Sequence, residues 1–222
     1  MPQYPAFLNL SGRSVVIVGS GEPAERKAAS FQRYGADVIV ISAEPTARLM
    51  EMEAEGLISL EQREYATGDL SGVALVVCAG ATDDVSRQVA RDADARGCLV
   101  NVAASPELCN YLVPTSLRRG PLQIAISTSG VAPTVAKRLR AEIKGTYGEE
   151  WGTYVGLLGG VRALAVHRLT DPAERDEILS AVTSADLLAR ITAGEALTAE
   201  SVYAEFAPHP SADDSPPSEP EE

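Results

Sequence analysis

The chain has 222 residues, a formal charge of −12 and an apolar share of 45%. That length holds one full domain with a smaller companion, and the apolar share suits a globular core. The net acidity argues against general attraction to nucleic acid, and no run approaches the roughly 18 apolar residues that a membrane-spanning helix needs.

The N-terminus, Met1 to Pro5, has neither a basic head nor an apolar signal core, so a cytoplasmic location is expected. Three cysteines, odd in number and without close spacing, argue against a disulfide framework. Cys78 and Cys98 fall in apolar runs and read as small core residues.

The first strong signal is Val15–Val18, an apolar run that ends in Gly19-Ser20-Gly21 and leads into a helical segment, Pro23–Tyr34. A buried parallel strand turning tightly into a helix has this form. The spacing Gly19-x-Gly21-x-x-Ala24 is the Gly/Gly/Ala version of the dinucleotide fingerprint. Gly19 permits the turn, Gly21 lets a diphosphate approach the backbone, and Ala24 lets the helix pack on the strand. The N–H groups at the helix start then face the anion.

Further along, Val38–Ile41 reads as a strand, Thr46–Glu55 as a helix and Ile58–Leu60 as a short strand. Leu75–Cys78 is a buried strand, Asp83–Arg96 a helix and Leu99–Val102 a strand. Leu122–Ser127 reads as one more strand, with Leu122, Ile124 and Ile126 alternating against Gln123. Strands separated by helices predict an α/β fold, a Rossmann-type doubly wound parallel sheet. After Ser127 the pattern changes. Pro133 suits a first helical turn, Thr134–Lys144 follows, and no strand is evident beyond Trp151. Trp151–His167, a helix capped by Asp171, Ser184–Ile191 and Thr198–Phe206 form a small all-helical C-terminal domain. The segment from Ala207 to Glu222 has five carboxylates, five prolines and no Lys or Arg, and is expected to be disordered. The expected domains are therefore 1–117 for nucleotide binding, 118–148 for dimerisation and substrate binding, 149–206 helical, and 207–222 as an acidic tail.

In such a sheet a ligand sits at the carboxyl ends of the strands. The loops there supply Gly19, Ser20, Gly21, Glu22 and Pro23, then Ser42, Ala43 and Glu44, then Ala79, Gly80 and Thr82, and finally Asn101. Ser42 and Glu44 stand where an acid meets the ribose of NAD, and no arginine is adjacent to take a 2′-phosphate, so NAD is expected over NADP. A second cluster, Ser127, Thr128, Ser129 and Gly130, precedes the proline-started helix and suits an anion. Around it Arg118, Arg119, Lys137, Arg138, Arg140 and Lys144 face a single acid, Glu142. A basic block within an acidic chain points to a ligand with several negative charges.

Taken together these strings resemble a known family. Gly19-Ser-Gly-Glu-Pro-Ala-Glu-Arg-Lys-Ala28 is similar to the glycine-rich start of siroheme synthase N-terminal domains, which comprise precorrin-2 dehydrogenases with or without sirohydrochlorin ferrochelatase activity. Ala79-Gly-Ala-Thr-Asp-Asp84 resembles their A-x-T-x-D turn. Asn101-Val102, Pro106 and Val113-Pro-Thr-Ser116 resemble their N-V-x-D-x-P and P-S segments, and Ile126 to Pro133 resembles their I-S-[ST]-x-G-x-[SA]-P. The resemblance implies an NAD-dependent dehydrogenation of precorrin-2 to sirohydrochlorin by an intertwined homodimer. The basic block (Arg118, Lys137, Arg138, Arg140) and the Ser127–Gly130 cluster would then hold the carboxylates of the tetrapyrrole.

One position departs from the pattern. The family's aspartate two residues before the proline, its acid/base group, is Ala104 here, and Ser105 and Glu107 flank that position without matching it. Alanine can neither take a proton nor guide a metal ion. Dehydrogenase activity without ferrochelatase activity is therefore expected, and no catalytic side chain is assigned. The two other readings are a bifunctional enzyme with a displaced base and a non-catalytic NAD- or tetrapyrrole-binding protein. His167 and His209, the two histidines, offer no metal site.

Overall fold

The computed structural model describes residues 3–207. The acidic segment from residue 208 onward, expected to be disordered, lies outside the described residues, as does His209. The chain divides into two compact units. The first comprises Met1–Val113 with Thr128–Ala132, and the second Pro114–Ser127 with Pro133–Glu222.

In the first unit five parallel strands form one sheet: β1 (Ser14–Val18), β2 (Asp37–Ile41), β3 (Ser59–Glu61), β4 (Leu75–Cys78) and β5 (Leu99–Val102), in the order β3-β2-β1-β4-β5. Helices α1 (Gly21–Gln32), α2 (Ala47–Ala54) and α3 (Asp83–Arg96) connect them. The strand order reverses between β1 and β4, which opens a crevice at their carboxyl ends. Alternation within the strands divides the core. Val15, Ile17, Val38, Val40, Leu75 and Val77 face α1 and α2. Val16, Val18, Ile41, Val76, Cys78, Val100 and Val102 face α3 through Val89 and Ala93. Burial on both faces is why the strands read as unbroken apolar runs. Burial also pushes the Cys78 thiol up to about 12, so it stays neutral.

β5 lies at a sheet edge, and its backbone is covered from within the chain. The Asn110 amide accepts from the Val100 N–H at 2.7 Å and donates to the Cys98 carbonyl at 2.9 Å. The Cys109 sulfur accepts from the Val102 N–H at 3.1 Å. Side chains thus replace a sixth strand.

The segment Leu122–Ser127 corrects the expectation of one more parallel strand. Leu122–Ile126 (β7) pairs antiparallel with Thr115–Arg119 (β6) in a separate two-stranded sheet. The sequence Thr-Ser-Leu-Arg-Arg has one apolar residue, so β6 has no hydrophobic run to mark it. Gly120, at φ +50°, closes the hairpin. The rest of the second unit is helical: α4 (Pro133–Thr146), α5 (Glu150–Arg168), α6 (Pro172–Ser184), α7 (Leu187–Thr192) and α8 (Ala199–Phe206). The expected Ser184–Ile191 helix begins late, because α6 continues through Ser184 and α7 starts at Leu187.

A core of Leu157, Val161, Ala165, Ile178, Val182, Leu187, Val202 and Tyr203 joins α5 to α8. Two α5 glycines set the close approaches. A methyl group at Gly160 would lie 2.7 Å from the Ala199 Cβ, and one at Gly152 would lie 2.9 Å from the Arg119 carbonyl carbon. Arg119 ties the hairpin to the start of α5, donating to the Tyr147 carbonyl at 3.1 Å and pairing with Glu149 at 2.9 Å. Leu187 is fully buried in this bundle. Leu187→Ala should therefore lower the unfolding free energy by about 2–5 kcal/mol, read by chemical denaturation followed through helical circular dichroism.

Candidate nucleotide site

The turn after β1 sits against the turn after β4 with no side chain between them. A methyl group at Gly19 would lie 2.1 Å from the Ala79 carbonyl oxygen, and one at Gly80 would lie 2.0 Å from the Ser20 carbonyl oxygen. Both glycines have positive φ, +132° and +77°. Only glycine fits either position, on steric and conformational grounds alike. Gly21 differs. At φ +74° it needs glycine's backbone freedom, yet a methyl group there would meet only the Pro23 Cδ at an ordinary 3.5 Å. Its open side is the crevice. Ala24 and Ala28 are fully buried, so α1 packs directly onto the sheet.

The start of α1 has no side-chain cap, although Ser20 is its N-cap residue. Its hydroxyl instead donates to the Glu44 carbonyl at 2.5 Å, joining the first loop to the second. By contrast Thr46, Thr82, Asp171 and Thr198 cap α2, α3, α6 and α8 with their side chains. Uncapped N–H groups at a helix N-terminus attract an anion. α3, its neighbour across the switch point, is capped by Thr82 and has two acids, Asp83 and Asp84, in its first turn, where α1 has one, Glu22. Among the helices that follow a strand of the parallel sheet, α1 is the one whose N-cap side chain makes no cap.

Ser42, at the tip of β2, is 4% exposed, and its hydroxyl has no hydrogen-bond partner. An orphaned buried hydroxyl beside a dinucleotide turn fits a ligand's ribose or adenine edge. Ala43 and Glu44 are exposed beside it. Arg48, the nearest cation in sequence, pairs with Glu51 at 3.1 Å and Glu55 at 3.6 Å along α2. Acids on its own helix thus occupy the guanidinium. Glu22 pairs with Arg26. Asn101, also expected at the ligand, uses its amide nitrogen on the Tyr111 carbonyl at 3.3 Å.

Ala104 is exposed in the turn that follows β5. Glu107 is exposed within the short 3-10 turn Pro106–Leu108. Among the described residues no group of three His, Cys, Asp or Glu side chains could hold a metal ion. The loop carrying Ala104 is held by Cys109, whose sulfur meets the carbonyls of Val102 at 3.4 Å and Ser105 at 3.5 Å. Cys109 and Asn110 have no counterpart in the sequence reading, since neither belongs to an apolar run or a known spacing.

The second cluster falls on both sides of the division, with Ser127 in the second unit and Thr128–Ala132 in the first. Ser129 has the left-handed φ of +53°, and the Thr128 hydroxyl accepts from the Ala132 N–H at 3.3 Å. Within the second unit, Arg140 donates to the Ser116 carbonyl at 2.7 Å and so anchors α4 to β6. Arg138 pairs with Glu142 at 2.9 Å, Arg118 donates to the Gly120 carbonyl at 3.1 Å, and Lys137 is exposed.

The fold and the glycine turn define the first unit as a Rossmann-type NAD(P)-binding domain. Comparison with known proteins agrees: an NAD(P)-binding family model matches residues 6–115, and the sirohaem biosynthesis protein central model matches residues 119–146. A siroheme synthase of Azotobacter vinelandii is 37% identical over 202 residues, covering 90% of this chain and 43% of the relative. One from Methylobacillus flagellatus is 39% identical over 152 residues, covering 67% of this chain and 32% of the relative. The chain thus spans less than half the length of these relatives. Among solved structures, SirC, a precorrin-2 dehydrogenase, superposes with a TM-score of 0.74 at 28% identity, covering 91% of this chain and 98% of that one. This chain belongs to the siroheme synthase family.

The interlocked turns make a direct test. Gly80→Ala should cost about 2 kcal/mol or more, combining left-handed strain with the clash on Ser20. Gly72→Ala, at φ +73° with nothing within 4 Å, should cost only the strain, about 1 kcal/mol. Equal losses of stability in urea titrations of the two variants would contradict the interlock.

Proposed function

We propose that this chain is an NAD-dependent precorrin-2 dehydrogenase, cytoplasmic and homodimeric, that takes a hydride and a proton from precorrin-2 to give sirohydrochlorin. The observation that carries the reading is the uncapped start of α1 at a Gly-x-Gly turn, in a chain aligned along its length with SirC. In this reading Gly19, Ser20, Gly21, Glu22 and Pro23 hold the diphosphate of the dinucleotide. Ser42, Ala43 and Glu44 receive the adenosine ribose, and Ala79, Gly80, Thr82 and Asn101 border the nicotinamide end. NAD rather than NADP is supported by Arg48, whose engagement with Glu51 and Glu55 leaves no adjacent cation for a 2′-phosphate. When bound, the nicotinamide ring accepts the hydride.

The rest of the chemistry is positioning. In this reading residues 1–117 serve the nucleotide, 118–148 the dimer and substrate, and 149–206 the helical support. Ser127, Thr128, Ser129 and Gly130, with Arg118, Lys137, Arg138 and Arg140, hold the carboxylates of the tetrapyrrole. Arg140 also anchors α4 to Ser116, so Lys137 and Arg138 are the cleaner probes of that role. With Ala104 at the family's acid/base position, the lost proton goes to solvent. Ferrochelatase activity is absent because no carboxylate stands there to receive pyrrole protons.

Anaerobic incubation with precorrin-2 and NAD, followed by Fe²⁺ or Co²⁺, separates the readings. NADH and sirohydrochlorin should form, with metal insertion no faster than the spontaneous rate. Faster insertion would favour a bifunctional enzyme. Tight binding without NADH would favour a non-catalytic carrier.

Two variants divide the subsites. Gly21→Asp places a carboxylate where the diphosphate lies, at a stability cost of about 1 kcal/mol for left-handed strain. NAD affinity should fall at least about a hundredfold through charge repulsion in a partly desolvated crevice, read by calorimetric titration. Lys137→Glu should raise the KM for precorrin-2 roughly severalfold and leave NAD affinity unchanged. Equal losses for both ligands would contradict two separate subsites.

A further inference from the structure

Helix α4 buries only Ala136, and its cations stay in solvent. Lys137, Arg140 and Lys144 follow at three- and four-residue steps and so share one face. Arg140 is committed to the Ser116 carbonyl and Arg138 to Glu142. Lys137 and Lys144 have neither a hydrogen bond nor an ion pair among the described residues. The rest of the second unit has the opposite charge. From Glu149 to Ala207 there are ten Asp and Glu residues against four arginines. Three of those arginines are engaged: Arg168 with Glu200, Arg190 with Glu195 and Glu205, and Arg175 with the carbonyls of Leu169 and Thr170.

Beyond α8 the chain continues through residues 208–222, with Asp213, Asp214, Glu219, Glu221 and Glu222 and no Lys or Arg. An anionic segment leaving an anionic bundle is repelled by the bundle and attracted to α4. Its length suffices. Residues 208–222 reach at most about 50 Å, against a radius of gyration of about 13 Å for a unit of this size.

We propose that the segment 208–222 docks along the cationic face of α4 in its own chain, on Lys137 and Lys144. Each exposed pair contributes about 1 kcal/mol or less. Several pairs on one tether act at a high effective concentration, and salt weakens them together. Because α4 is also where the proposed function places the carboxylates of the tetrapyrrole, the segment competes with substrate. That last step rests on the proposed function; the docking does not.

Zero-length carbodiimide coupling of the full chain, followed by mass spectrometry, tests the docking without any assay of activity. The chain has three lysines, Lys27, Lys137 and Lys144, so the first is an internal control. At low ionic strength Lys137 and Lys144 should couple to the carboxylates of 208–222 within one chain, and coupling should fade at about 0.5 M salt. Absence of these products, coupling to Lys27 alone, or coupling only between ¹⁴N- and ¹⁵N-labelled copies in a mixed sample would overturn the docking. A chain ending at Ala207 should show a severalfold lower KM for precorrin-2 at low salt, equal to the full chain's at high salt, with NAD affinity unchanged. Coupling as expected with an unchanged KM would uphold the docking and overturn the substrate role given to α4.

Discussion

Two backbone turns meet at the carboxyl end of the parallel sheet with nothing between them but hydrogen atoms. Gly19 lies on the Ala79 carbonyl and Gly80 on the Ser20 carbonyl, so each glycine makes room for the other loop. This contact fixes the start of α1 relative to β4. It also frees the Ser20 hydroxyl from capping duty, because the same loop is fastened sideways to Glu44. This edge of the sheet is shaped by what these residues lack: a side chain at Gly19, Gly21 and Gly80, and a cap at the head of α1. A helix start kept open in this way is less stable alone than a capped one, and the deficit is offset when an anion completes it.

The sheet and its crevice were legible in the sequence because burial on both faces demands continuous apolar strands and a tight turn demands glycine. β4, α3 and β5 have the expected bounds. The helical unit was legible through its caps, with Asp171 before Pro172 and Thr198 before α8. What stayed hidden depends on partners rather than on runs. β6 has a single apolar residue and exists because β7 pairs with it. Asn110 and Cys109 support β5 and its following turn through hydrogen bonds that no spacing announces.

The glycine turn was legible in the sequence, and the structure adds a feature no motif announces: the missing cap at the start of α1. Asn101, near the carboxyl end of β5, also has a structural task, since its amide nitrogen supports Tyr111. The basic block reads differently residue by residue. Arg119 and Arg140 fasten the hairpin to α5 and α4, whereas Lys137 and Lys144 serve no such structural purpose. Charge counted along a chain does not separate cations that build from cations that wait; their acceptors do.

The treatment of the sheet's two borders has a consequence for assembly. On one side β3 offers only Ser59–Glu61, too brief a template for another chain to extend. On the other, amide and thiol groups from the next loop already occupy β5. The parallel sheet is thereby closed to growth by strand addition in either direction.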